Sequence, residues 1–232
     1  MRSISELKDQ ALATLSGKWA SYVAMTLIYM AITSILSYLL QFTGPSTKDL
    51  ATGMAIPTTA MLPFLGATLI VVLAVLPMQW SYQVMFLDSG RIGREPEAKQ
   101  LFIGYKDYLR IVLTHILMYI FIILWSLLLV IPGIIKTLSY SMTGYVLRDN
   151  PELSGNAAIE RSMQLMKGHK LDLFVLYLSF IGWAILALFT CGIGFLWLAP
   201  YMQMTMAKFY ESTLEDERIA NEAQNRLNNN RW

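Results

Sequence analysis

The chain has 232 residues, 55% of them hydrophobic and 15% charged, with a formal net charge of +2. A soluble domain carries roughly 25% charged residues, so this composition excludes a soluble α/β enzyme, a disordered chain and a nucleic-acid-binding domain. A single cysteine, Cys191, excludes a disulfide framework and a cysteine-ligated metal centre. An integral membrane protein is what remains.

Residues 3–18 read as an amphipathic helix. Ser3 and Glu6 have the spacing of a capping box, and Ile4, Leu7, Ala11 and Leu15 fall on one face before Gly17-Lys18-Trp19. Glu6 and Asp9, followed by an apolar run longer than a signal sequence needs, argue against a cleavable signal peptide. A spanning helix takes about 20 apolar residues, because each rises 1.5 Å through roughly 30 Å of hydrocarbon. Four segments meet that demand: 19–42, 61–87 with Pro63 and Pro77 inside it, 109–131 with Arg110 and His115, and 171–189 with Asp172 at its start. Two weaker segments, 132–148 and 193–210, are rich in Ser, Thr, Tyr, Gln and Met. They follow the turn signals Pro132-Gly133 and Cys191-Gly192-Ile193-Gly194. Six transmembrane helices in one domain over 1–210 are therefore expected, with 211–232 a cytoplasmic tail that extends the sixth helix and then frays.

That count places sixteen of the eighteen Lys and Arg on one side, leaving Lys48 and Lys136. Every acid except Asp49 falls on the same side as the sixteen. By the positive-inside rule, both termini are cytoplasmic and the protein is a multi-pass component of the cell membrane.

The pattern repeats three times. An amphipathic stretch ends at Gly17-Lys18, Gly104-Tyr105-Lys106 or Gly168-His169-Lys170, then come a greasy helix, a tight turn and an amphiphilic helix. The second stretch starts at Pro96, the third near Asn150-Pro151-Glu152, read as a cap, a first-turn proline and a dipole-favoured acid. The amphiphilic helices finish at Asp88, Asp149 and Glu211, which lie 71, 45 and 43 residues after the glycines. The loop 43–60 accounts for most of the excess in the first unit. The fold class is thus all-α, with three pseudo-repeated hairpins, each preceded by an interfacial helix.

Between 131 and 210 a run of motifs stands in order: Pro132-Gly-Ile, Tyr140-Ser-Met, Asp149-Asn-Pro, Met166-Lys-Gly-His-Lys, Leu178-Ser-Phe-Ile-Gly-Trp, Thr190-Cys-Gly-Ile-Gly, Leu196-Trp-Leu-Ala-Pro-Tyr and Phe209-Tyr-Glu. This region resembles a bacterial family of integral membrane proteins, domain-of-unknown-function family nine-seven-five. The resemblance implies a multi-pass membrane protein and brings no established activity with it.

Candidate functional residues fall in two groups. Asp149, Asn150, Arg161, Lys167 and Lys170 form a polar cytoplasmic set suited to an anionic ligand or a partner. The bland alternative is a helix lying on anionic lipid, its polar face opposite Ile159, Met163 and Met166. The intramembrane polar positions are Lys136, Ser139, Gln79, Gln203 and His115. Lys136 reads first as a lysine snorkelling to headgroups near an outer turn, and His115 as a satisfied buried histidine. Met202, Met204 and Met206 suggest copper only superficially, because Met202 and Met206 share a helix face while Met204 points elsewhere. Gly182 and Ser179 are small enough to let helices approach. Trp19, Trp183, Trp197, Tyr177 and Tyr201 suit interface anchoring.

Searches for HExxH, GxSxG, a P-loop and a dinucleotide fingerprint find none. The leading expectation is a non-enzymatic scaffold, assembly or stress and immunity factor. It would act with anionic lipid headgroups, a membrane-protein partner or a second copy, without nucleic acid, metal or cofactor. The alternative is a small-solute transporter or channel lined by the amphiphilic second helices.

Overall fold

The computed structural model describes residues 2–43 and 58–229; Lys48, Asp49 and Arg231 lie outside them. Nine α-helices and one 3₁₀ helix, with no strand, make up the described residues. In chain order they are α1 (Ile4–Leu15), α2 (Trp19–Leu40), α3 (Thr58–Ile92), the 3₁₀ helix Ala98–Tyr105, α4 (Tyr108–Leu128), α5 (Val130–Tyr140), α6 (Thr143–Asp149), α7 (Gly155–Leu165), α8 (Lys170–Phe189) and α9 (Phe195–Asn229). Four of them are long and apolar enough to cross a membrane: α2, α3 from Met61 onward, α4 and α8. Only 11% to 22% of the most apolar stretch of each is buried within the protein. These helices turn their greasy surface outward, as lipid requires and water would not permit.

The N-terminal capping box forms as its spacing predicts. Ser3 Oγ accepts from the Glu6 N–H at 3.3 Å, and Glu6 Oε2 accepts from the Ser3 N–H at 2.7 Å. The apolar face of α1 is turned into the protein: Leu7, Ala11 and Leu15 are fully buried where α1 packs along α9. Gly17 (φ +76°) and Gly168 (φ +95°) both take the left-handed conformation just past an amphipathic helix. That conformation ends the helix and points the chain into the next one. The middle unit solves the same problem differently. Gly104 stays inside the 3₁₀ helix and donates its N–H to Ser81 Oγ at 2.8 Å, so close to α3 that a Cβ would lie 3.0 Å from the Trp80 ring.

Several boundaries differ from the sequence reading. The second amphipathic stretch begins at Ala98, not Pro96, and is 3₁₀, with Gln100 Oε1 accepting from the Glu97 N–H at 2.9 Å. Segment 132–148 is two helices broken after Tyr140. Asn150 does not open the third amphipathic helix: it closes α6, its side chain donating to Val146 O at 3.0 Å, and Ser154 caps α7 instead. A Cβ on Gly182 would meet nothing within 4 Å, so this residue marks no helix contact. Residues 211–229 continue α9 without interruption.

The core lies among the C-terminal half of α3, the α5–α6 pair and α9. Met78, Phe86, Met142, Tyr145, Met204 and Phe209 are each at most 1% exposed. Their neighbours α2, α4 and α8 surround them. The weaker hydropathy of 132–148 and 193–210 follows from this placement, since their polar side chains face other helices.

Candidate functional site

The three inner segments border a partly open cavity of about 460 Å³. α3 contributes Gln79, Tyr82 and Gln83; α5 and the turn after it Thr137, Leu138, Tyr140 and Ser141; α6 Gly144 and Tyr145; α9 Met202, Gln203 and Met206. The wall is completed by Tyr29 from α2, His115, Met118, Tyr119 and Ile122 from α4, and Tyr177 from α8. Counted back from Asp88, Asp149 and Glu211, the three segments share a register. Gln79, Tyr140 and Met202 stand nine residues before the acid, and Gln83, Gly144 and Met206 five before it. Positions four apart share one face of a helix, so the same face of each α3 and α9 turn looks into the cavity, while Tyr140 and Gly144 flank the break between α5 and α6.

Among the described residues, no Asp, Glu, Lys or Arg belongs to this wall. Six tyrosines do, and Tyr29 stacks on Tyr82 with ring centroids 4.5 Å apart and planes inclined by 11°. Gly144 is dictated by crowding: a Cβ there would lie 2.6 Å from Gln83 Oε1, while Trp80 Nε1–H donates to the Gly144 carbonyl at 2.9 Å. His115 is buried and its Nδ1 lies 2.7 Å from Ile111 O. A carbonyl only accepts, so Nδ1 carries the proton and, in the neutral ring, Nε2 is left as an acceptor.

Two of the acids that end the inner segments, Asp149 and Glu211, share one ion-pair network, and the third, Asp88, makes a separate pair. Arg91 reaches Asp149 through two nitrogens at 2.6 and 2.9 Å, and Glu211 through Nε at 3.3 Å. Lys208 pairs with Glu211 at 2.9 Å, Arg148 with Asp88 at 2.9 Å, and Tyr210 donates its hydroxyl to Asp149 at 2.9 Å. Tyr210 also stacks on Tyr145, centroids 5.1 Å apart. A cavity residue and the network therefore touch through two rings. Farther along α9, Arg161 grips Glu217 with two 2.6 Å contacts, Arg2 pairs with Glu215 at 2.6 Å, and His169 lies 4.0 Å from Asp216. The hydrogen-bonded Arg161 guanidinium holds the Glu217 carboxyl below its usual range, and its own pKa is raised in return.

The residues singled out from sequence are distributed accordingly. Gln79, Gln203 and His115 line the cavity; Lys136 and Ser139 do not. Lys136 holds its ammonium 4.9 Å from the Trp125 ring and 5.7 Å from the Tyr140 ring, with Met163 Sδ at 3.8 Å. Ser139 is spent on structure, donating to Ile135 O while its carbonyl accepts from Ser162 Oγ. The five candidates expected at the cytoplasmic face do not form one site. Asp149 belongs to the network, Asn150 to the end of α6 and Arg161 to Glu217, and Lys167 and Lys170 make no ion pair with the described residues. Met202 and Met206 face the cavity while Met204 is fully buried beside Gly90, the division that helical spacing predicts. Trp19, Trp183, Trp197 and Tyr201 gather round an apolar groove of about 380 Å³ between α1, α2, α8 and α9. Gln83, Tyr29, Tyr119 and the bridging Arg91 were missed, and Tyr177, read as an interface anchor, lines the cavity. Aligning the three units on their terminal acids would have found Gln83.

No curated protein and no solved structure matches the chain. A family model does, over residues 1–139 and 127–217, and its description is a protein of unknown function. The chain belongs to that family, DUF975.

Proposed function

We propose that the chain is a small-solute binding and transport protein of the cell membrane, not an enzyme, with the 460 Å³ cavity as its solute site. The observation that carries this reading is the cavity's wall. Polar groups from three separate segments point at one space in the middle of otherwise greasy helices, where an intramembrane polar group is costly and is retained for function. In this reading the chain crosses the membrane six times, α5–α6 and the first half of α9 being the two crossings whose polar faces the cavity uses. Both termini are cytoplasmic, and the ion-pair network closes that end. Support for six crossings comes from the shared register of Gln79, Tyr140 and Met202. Anionic headgroups meet the exposed Lys167 and the other cations of that face. A scaffolding role through the same face, with a membrane protein or a second copy as partner, is the second reading, favoured by Lys167 and Lys170 making no ion pair with the described residues.

The test is thiol labelling. In a Cys191→Ser background, which removes the only native thiol, Ser141→Cys and Gln79→Cys in liposomes should react with a charged, membrane-impermeant thiosulfonate from at least one side. Cysteines that stay unreactive from both sides, in protein that runs as a single species, would sink the solute-site reading.

A further inference from the structure

We propose that the cavity takes a neutral, flat solute with an amide-like edge, on which a hydrogen-bond donor and an acceptor stand side by side. This rests on reading the cavity as a solute site, and it names the class of solute.

Charge decides first. The described residues give the wall no Asp, Glu, Lys or Arg, and an ionised carboxylate or phosphate placed there would give up part of its hydration without a counter-charge to replace it. A cation fares no better. Lys136 already holds a positive charge 5.7 Å from the Tyr140 ring, and Tyr140 belongs to the wall. That ammonium is itself occupied by the faces of Trp125 and Tyr140 and by Met163, so it is no receptor for an anion either. A neutral molecule remains.

Shape and hydrogen bonding narrow the class further. Six tyrosine rings offer flat, polarisable surfaces, and rings prefer to meet other flat systems offset-stacked or edge-on. Gln79 from α3 and Gln203 from α9 reach the same space, and neither carboxamide has a partner among the described residues. Each carboxamide presents an N–H donor and a C=O acceptor together. The complement of that pair is an edge with the same two groups reversed, which is how a glutamine reads a nucleobase with two bonds at once. The Nε2 acceptor of neutral His115 adds a third point of attachment. A sugar would satisfy the amides but leave the ring faces poorly used, and an alkyl chain would leave the amides unpaired.

The experiment uses the full chain in lipid nanodiscs, titrated with uracil, adenine and nicotinamide as flat neutral probes. Uridine monophosphate, glucose and tetraethylammonium are the controls. At least one flat probe should bind saturably, and Gln79→Leu and Gln203→Leu should each weaken it tenfold or more while the variants keep the wild-type elution profile. The nucleotide should bind at least a hundredfold more weakly, and glucose and tetraethylammonium should not compete. Saturable binding by none of the flat probes, or binding indifferent to both glutamine variants, overturns the proposal. Labelling of Ser141→Cys separates the two levels. Protection by glucose or tetraethylammonium but not by a flat probe leaves the cavity a solute site and removes this solute class. A cysteine that never reacts removes both.

Discussion

The helices that face outward and those that face inward obey opposite rules of composition. α2, α4 and α8 are mainly apolar and each turns one face outward, where a change meets no protein: Leu124 on α4 is 58% exposed and a Cβ on Gly182 would touch no atom within 4 Å. The segments around the cavity mix Gln, Tyr, Ser, Thr and Met, and they carry much of the core, Met78, Phe86, Met142, Tyr145, Met204 and Phe209 among it. The low hydropathy of 132–148 and 193–210 goes with the buried polar side chains these segments carry, Ser139, Thr143 and Thr205 among them.

The sharpest contrast pairs Leu7 with Leu124. Leu7 is fully buried between α1 and α9, and Leu7→Ala should cost about 2–4 kcal/mol of stability, whereas Leu124→Ala should stay within about 0.5 kcal/mol. Thermal unfolding in one detergent would read both, and equal effects would abolish the distinction. Next comes Gly144→Val against Gly182→Val. The first forces side-chain atoms into Gln83 and Trp80 and should cost about 1–3 kcal/mol, the second close to nothing. Arg91→Ala takes the shared cation from both Asp149 and Glu211 and should cost about 1–2 kcal/mol, because the three side chains are only 23% to 35% exposed. Replacing Arg91 and Asp149 together should cost less than the two single changes summed, which a double-mutant cycle would show.

The smallest effect belongs to Arg161 and Glu217. Glu217 has a lowered pKa in the folded protein, so its contribution is complete above the ordinary carboxylate range and fades as pH falls through the lowered value. With both side chains about one-third exposed, the pair is worth at most about 1 kcal/mol. Arg161→Met should erase that acid-side loss while leaving stability at neutral pH nearly unchanged.

How much of this was legible in the sequence depended on the range of the interaction. The capping box of Ser3 and Glu6, the four apolar spans and the glycines at 17 and 168 are set by neighbours a few residues away, and periodicity reads them directly. Asn150 was misread because a residue before proline suits a helix start as well as a helix end, and only the Val146 carbonyl four residues back decides between them. The contacts of Lys136 were not legible, because nothing local announces Trp125 and Met163, which the fold brings to it from either side in sequence. The pairing of Asp88, Asp149 and Glu211, the acids that end the three inner segments, was half visible. Their matching positions could be counted, but the arginine that joins two of them could not.

The unbroken run of α9 has a mechanical meaning. From Gln203 in the cavity wall to Glu217 in the grip of Arg161 is one helix, about 21 Å of rod at 1.5 Å per residue. A rod has no slack, so its two ends do not choose their orientations independently. A solute that rolls α9 at Gln203 must shear the contacts with α1 and α7 at the far end, and anything that clamps those contacts stiffens the cavity. On the solute-site reading, the reciprocity of linkage makes the tail beyond Glu211 a second handle on the cavity wall.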